Sequence, residues 1–148
     1  VDKEQKQQNK IDAIQLKIDQ ADALVFSADS LIAAGETMMK EAEIELKALA
    51  QEEKQINKDY FNDLKGIDKL MRSKDKQELE QGKAELKVIE NNNKIAMKEW
   101  TNKQKGVLKQ YDNGVKMIDK GKVNLNKAKE KKKTAEKALK EAQKAIKK

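Results

Sequence analysis

Cysteine and histidine are both missing from the 148 residues. Without cysteine the chain has no disulfide, no thiolate metal site and no thiol nucleophile. Without histidine it lacks the commonest general base, the commonest metal ligand and any imidazole pH switch. Proline is absent too, glycine occurs six times and aromatic residues make up 3% of the chain. A layered globular core built on aromatic packing is therefore not expected. No apolar run approaches the roughly 18–20 residues that cross a bilayer. Neither GxxxxGK[ST] nor GxGxxG occurs, and the glycines are scattered rather than gathered in a phosphate-binding loop.

What remains is charge. Asp, Glu, Lys and Arg form 40% of the residues, with a formal net charge of +7. Lys, Glu, Ala, Leu and Gln dominate, and these side chains lose little freedom on a helix. Disorder is the competing reading of so polar a chain, but a disordered tract has no reason to hold a seven-residue apolar repeat. This chain holds one. Ile11, Ile14, Ile18, Ala21, Val25, Ala28, Ile32, Gly35, Met39, Ala42, Leu46 and Leu49 return at alternating steps of three and four, followed by Ile56, Tyr60, Ile67 and Leu70. Glu53 and Asp63 interrupt the stripe. A second stripe runs through Leu79, Leu86, Ile89, Met97, Trp100, Val107, Tyr111, Gly114, Ile118, Gly121, Leu125, Ala128, Ala135, Leu139, Ala142 and Ile146, with Gln104 and Lys132 as polar exceptions. It changes phase near Asn91-Asn92-Asn93, where three poor helix formers predict a local distortion.

Between the stripes, Arg72-Ser73-Lys74-Asp75-Lys76-Gln77 is polar, and Ser73 or Asp75 can cap a following helix. The sequence therefore predicts an all-α fold, a long antiparallel two-helix coiled-coil hairpin. One domain spans 1–148, with a helix over about 8–72, a turn over about 73–76 and a helix over about 77–146; residues 1–10 are expected to fray. Folding at the turn requires partner residues to share a constant sum. Sums of 149 and 150 pair Leu49 with Trp100, Ala42 with Val107, Gly35 with Gly114, Ala28 with Gly121, Ile14 with Ala135 and Ile32 with Ile118. Charge agrees with this register, because an acidic segment over 23–53 falls opposite a lysine-rich one over 96–126. A sixty-residue arm of this kind would span about 90 Å. The alternative is a four-helix bundle broken near Gly35 and Gly114, since Asp112-Asn113-Gly114 is a helix-stop signal.

No catalytic, cofactor-binding or metal-binding residue is indicated. The di-iron pattern of helical bundles needs Glu-x-x-His. Ser27, Ser30 and Ser73 have no histidine to activate them. Trp100, Tyr60 and Tyr111 lie on the seam as core residues, whereas Phe26 and Phe61 lie beside it and mark a partner contact if exposed. From Lys120 onward twelve lysines face three glutamates. Lys129, Lys133, Lys137, Lys140, Lys144 and Lys148 share one helix face, a candidate ridge for anions or an acidic partner. Apolar residues beyond Leu125 are mostly alanine, too slight for a membrane-surface helix.

The expected function is a non-catalytic helical scaffold, spacer or protein-interaction module, with no cofactor or small-molecule substrate and with a protein partner or self-association. One alternative is electrostatic binding of nucleic acid or an anionic surface through the lysine-rich C-terminal helix. Another is a holdase-type chaperone. In overall charge and hairpin form the chain resembles the tentacle arms of Skp-type periplasmic chaperones, a likeness of form with no shared motif. The lack of cysteine and the start at Val1 lean toward an exported protein.

Overall fold

The computed structural model describes residues 2–147, Lys147 by its backbone alone. They form α1 (Lys3–Gly66), α2 (Asp68–Met71) and α3 (Lys76–Lys147), with no strand among the described residues. The fold is an all-α helical hairpin in which α1 packs against α3. α1 passes Gly35 and α3 passes Gly114 without a break, so the four-helix alternative does not hold.

The helix ends differ from expectation for local reasons. α1 begins at Lys3 rather than near residue 8, because the Asp2 carboxylate accepts the Gln5 N–H at 2.8 Å and caps the first turn. Gln5 then donates to Asn9 and Gln8 to Asp12, each at 2.9 Å, so polar residues knit a segment that no apolar anchor holds. At the other end α1 stops at Gly66 instead of near residue 72. Ile67 leaves helical geometry at φ −102° and ψ 2°, a step eased by the weak helix preference of Gly66, and the four-residue α2 follows.

Residues 72–75 then reverse the chain. The Ser73 hydroxyl accepts the Asp75 N–H at 3.1 Å and donates to Glu78 at 2.7 Å, while Asp75 caps α3 by accepting the Gln77 N–H at 3.1 Å.

The hairpin divides into two compact units. One contains α1 up to Met39 and α3 from Asp112. Its core joins Ile14 and Ile18 to Ala135, with Ala138, Leu139 and Ala142 packed alongside. Further along, small residues bring the backbones together. A Cβ on Gly35 would lie 2.7 Å from the Gly114 carbonyl oxygen, and one on Gly121 would lie 2.6 Å from Ile32 Cγ1 and 3.1 Å from the Ala28 carbonyl oxygen. The expected pairs Gly35/Gly114 and Ala28/Gly121 are thus in place, and these three glycines, which weaken the helices, are required by this close approach.

The other unit is Lys40–Tyr111. Ala42, Leu49 and Val107 form its buried cluster, flanked by Leu46, Trp100 and Tyr111. Trp100 Nε1 donates to the Leu49 carbonyl at 2.7 Å. Nearer the turn the seam uses Leu64, which is half-buried, while Asp63 is exposed. Gly82 is buried where a Cβ would sit 3.0 Å from both Leu70 Cβ and Met71 Sδ.

The distortion expected at Asn91-Asn92-Asn93 does not occur, as α3 is helical throughout. The change of phase is absorbed by side chains instead. Asn93 fills a seam position, and Ala96 and Met97 are both half-buried where the stripe crosses from one flank to the other.

Candidate functional site

The core described above is thin, so the chemistry of the molecule lies on its surfaces. The chain exposes 11508 Å² at a mass of 16.9 kDa, whereas a globular monomer of that size exposes about 7,700 Å². Three surface features stand apart: the lysine ridge, two open grooves beside the seam, and an uncharged face of α1.

On α3, Lys129, Lys133, Lys137, Lys140 and Lys144 are all exposed, and none joins an ion pair among the described residues. Lys148, the last residue of the predicted ridge, lies outside the described residues. Lys133, Lys137 and Lys140 line a shallow hollow of about 470 Å³ together with Glu136, Leu139 and Gln143.

Lys132, adjacent in sequence but turned to the seam, behaves differently. It reaches across to Asp22 at 2.7 Å. The hydrogen bond to Asp22 is the main reason its pKa rises above the usual 10.5; the Asp22 charge adds to this, partial desolvation opposes it and Glu136 adds a smaller push. The seam lysine that interrupts the apolar stripe is thus anchored by a carboxylate on the neighbouring helix. In the other unit Lys103 reaches Glu52 at 3.0 Å. These two are the cross-helix ion pairs among the described residues; Lys103–Glu52 falls within the acidic 23–53 and lysine-rich 96–126 segments, whereas Lys132–Asp22 lies outside them.

In the first unit a groove of about 570 Å³ is floored by Ile14, Ala21, Leu24, Ala135 and Ala138 and rimmed by lysines, including Lys127 and Lys131. In the second, a groove of about 390 Å³ runs over Ala48, Leu49, Gly106 and Val107, between Glu52 and Lys103. Both are open strips along the helix–helix boundary. Among the described residues no group of three or more His, Cys, Asp or Glu side chains is placed to hold a metal ion. No helix is long and apolar enough to cross a membrane among the described residues.

The third surface belongs to α1. From Ala23 to Met39 its only charged residues are Asp29 and Glu36, seven apart and therefore on one line along the helix. The remaining faces are uncharged, although a helix on a protein surface ordinarily turns charge to solvent. Phe26 is 74% exposed on this face. Phe61, the other aromatic beside the seam, is also exposed, but Lys65 Nζ stands over its ring at 4.7 Å. Both phenylalanines are thus outside the core, and Phe26 is the bare one.

No protein-family description, curated protein or solved structure matches the chain.

Proposed function

We propose that this protein is a non-catalytic interaction module whose working surface is the outward face of α1 around Phe26. The observation that carries the reading is the 74% exposure of Phe26 within a helical segment that places charge on one line only. Leaving a phenylalanine in water forfeits about 1.5–3 kcal/mol relative to burying it, and a helix with so little polar surface is characteristic of one covered on more than one side. The seam covers one side; a partner would cover the other.

A photo-crosslinking residue introduced at Phe26 of the full chain tests this. The expected result is an adduct of discrete mass, absent when the same residue is placed at Lys54. Lack of any adduct at Phe26 above the Lys54 level would overturn the reading.

The lysine ridge supports a second reading, electrostatic binding of a polyanion, because its five described lysines are exposed and outside every described ion pair. Duplex DNA serves as the probe. Binding should weaken steeply with salt, and K133E/K137E/K140E should reduce both the affinity and the salt slope. Affinity unchanged in that variant would remove this reading and leave the first intact.

A further inference from the structure

We infer that the groove beside the seam at Ile14 and Ala135 docks an acidic amphipathic helix of a partner protein. All its lining residues belong to the unit made of α1 up to Met39 and α3 from Asp112. Phe26 lies on the far side of α1 from Lys17 and Leu24, so this surface is additional to the one proposed above and does not depend on it.

Shape selects a helix as the occupant. The lining runs from Ile14 to Leu24 on α1 and from Lys127 to Ala138 on α3, about 15–17 Å on each, which is three helical turns. A small-molecule site encloses most of its ligand, whereas this strip is open along its length and covers only one face of what lies in it. Ile14, Ala21 and Ala135 are buried in the floor, Ala138 is half-buried, and Leu24 stands out of it at 47% exposure. The three alanines leave room for larger apolar side chains. A third helix that brings such side chains at steps of three and four would extend the packing of the seam.

Charge selects the sign of that helix. Lys10, Lys17 and Leu24 follow at seven-residue steps and so form one line along the groove side of α1. The carboxylates of the same stretch, Asp12, Asp19, Asp22 and Asp29, all stand about 120° or more round the helix from Leu24. On α3 the rim carries Lys127 and Lys131, with Glu130 as the single carboxylate among the lining residues. Lys17, Lys127 and Lys131 join no ion pair among the described residues, whereas Asp22 on the opposite flank already holds Lys132. Three unengaged cations thus border an apolar floor, and a helix with acidic flanks complements them. The same groove of a second copy would instead bring lysine rim against lysine rim.

The test titrates two synthetic 18-residue helices into the full-length chain and follows fluorescence anisotropy. Both carry leucine at steps of three and four; one has glutamate on its flanks and the other lysine. The acidic peptide should bind at least about tenfold more tightly than the basic one, and K17E/K127E/K131E should reverse that order. Leu24→Gln removes apolar contact without changing charge and should weaken the acidic peptide by about fivefold. K133E/K137E/K140E, on the ridge, should leave the order of the two peptides as it is. All these positions are exposed, and circular dichroism checks that each variant is folded.

Equal affinity for the two peptides, or an acidic peptide released by the ridge variant but not by the rim variant or by Leu24→Gln, would overturn the inference. Displacement of the acidic peptide by laurate at equal concentration would assign the groove to a single-chain amphiphile and overturn it too. So would a natural chain that dimerises in sedimentation equilibrium and becomes monomeric in K17E/K127E/K131E, since the groove would then hold a second copy. None of these outcomes bears on the crosslinking result at Phe26.

Discussion

Trp100 Nε1 on α3 donates a 2.7 Å hydrogen bond to the carbonyl of Leu49 on α1, the helix against which its indole packs. The contact is specific in a way that apolar seam pairs are not, since a donor at this point fixes one register. Trp100→Phe keeps an aromatic ring but removes the donor. The expected loss is about 1–2 kcal/mol, from one net hydrogen bond and the smaller ring. Thermal unfolding followed by circular dichroism measures it, and an unchanged midpoint would mean that the bond contributes nothing.

Gly35 and Gly114 set how close the helices come. A Cβ on Gly114 would lie 2.8 Å from the Gly35 carbonyl oxygen and 2.9 Å from Met39 Cγ, so Gly114→Ala forces backbone or core side chains apart. Alanine raises helix propensity by about 1 kcal/mol, but overpacking costs about 1–3 kcal/mol and is expected to win. Gly106 has nothing within 4 Å of the same position. Gly106→Ala should therefore stabilise the fold by up to about 1 kcal/mol, and the two variants should shift the unfolding midpoint in opposite directions.

Asn93 supplies the one buried side-chain oxygen or nitrogen without a hydrogen-bond partner among the described residues, its Oδ1. It borders a hollow of about 160 Å³ with Ile56, Tyr60, Ile89 and Ala96. Asn93→Leu removes the unpaired group and extends the apolar seam, with an expected gain of about 1–2 kcal/mol in denaturant unfolding. A polar residue at a seam position commonly disfavours other registers at some expense in stability. A gain in stability with loss of a single well-ordered form would assign that role to Asn93.

The seam register was legible in the sequence because two stripes with a constant sum leave few alternatives, and the Gly35/Gly114 and Leu49/Trp100 pairs are where that arithmetic puts them. The remaining differences concern residues whose roles depend on short-range hydrogen bonding or on choices between adjacent positions. Asp2 was hidden as a cap within a tract with no apolar period. Leu64 displaces Asp63 because apolar burial decides between neighbours once the chain nears the break at Ile67. Phe26 was legible as a residue beside the stripe, but its exposure was not, because a position flanking the seam can be covered by the neighbouring helix or left to solvent and periodicity alone does not decide which.

Lys132 shows how a polar exception in the stripe becomes a measurable feature. Its pKa is raised above 10.5 in the folded chain, first by the hydrogen bond to Asp22 and then by that carboxylate's charge. A group whose folded pKa lies above its unfolded value stabilises the fold fully below the unfolded pKa. That contribution is lost as pH rises through the folded one. Asp22→Asn removes the charge while keeping the shape, so the natural chain should be the more stable near neutrality. The difference should close on the alkaline side of 10.5, where Lys132 loses its proton. The two chains are otherwise identical, so their difference isolates the Lys132–Asp22 pair. Added salt should narrow the neutral-pH gap as well, because the pair is partly exposed to solvent. Stability curves that stay parallel through the alkaline range would show that Lys132 is held in the seam by packing of its stem alone.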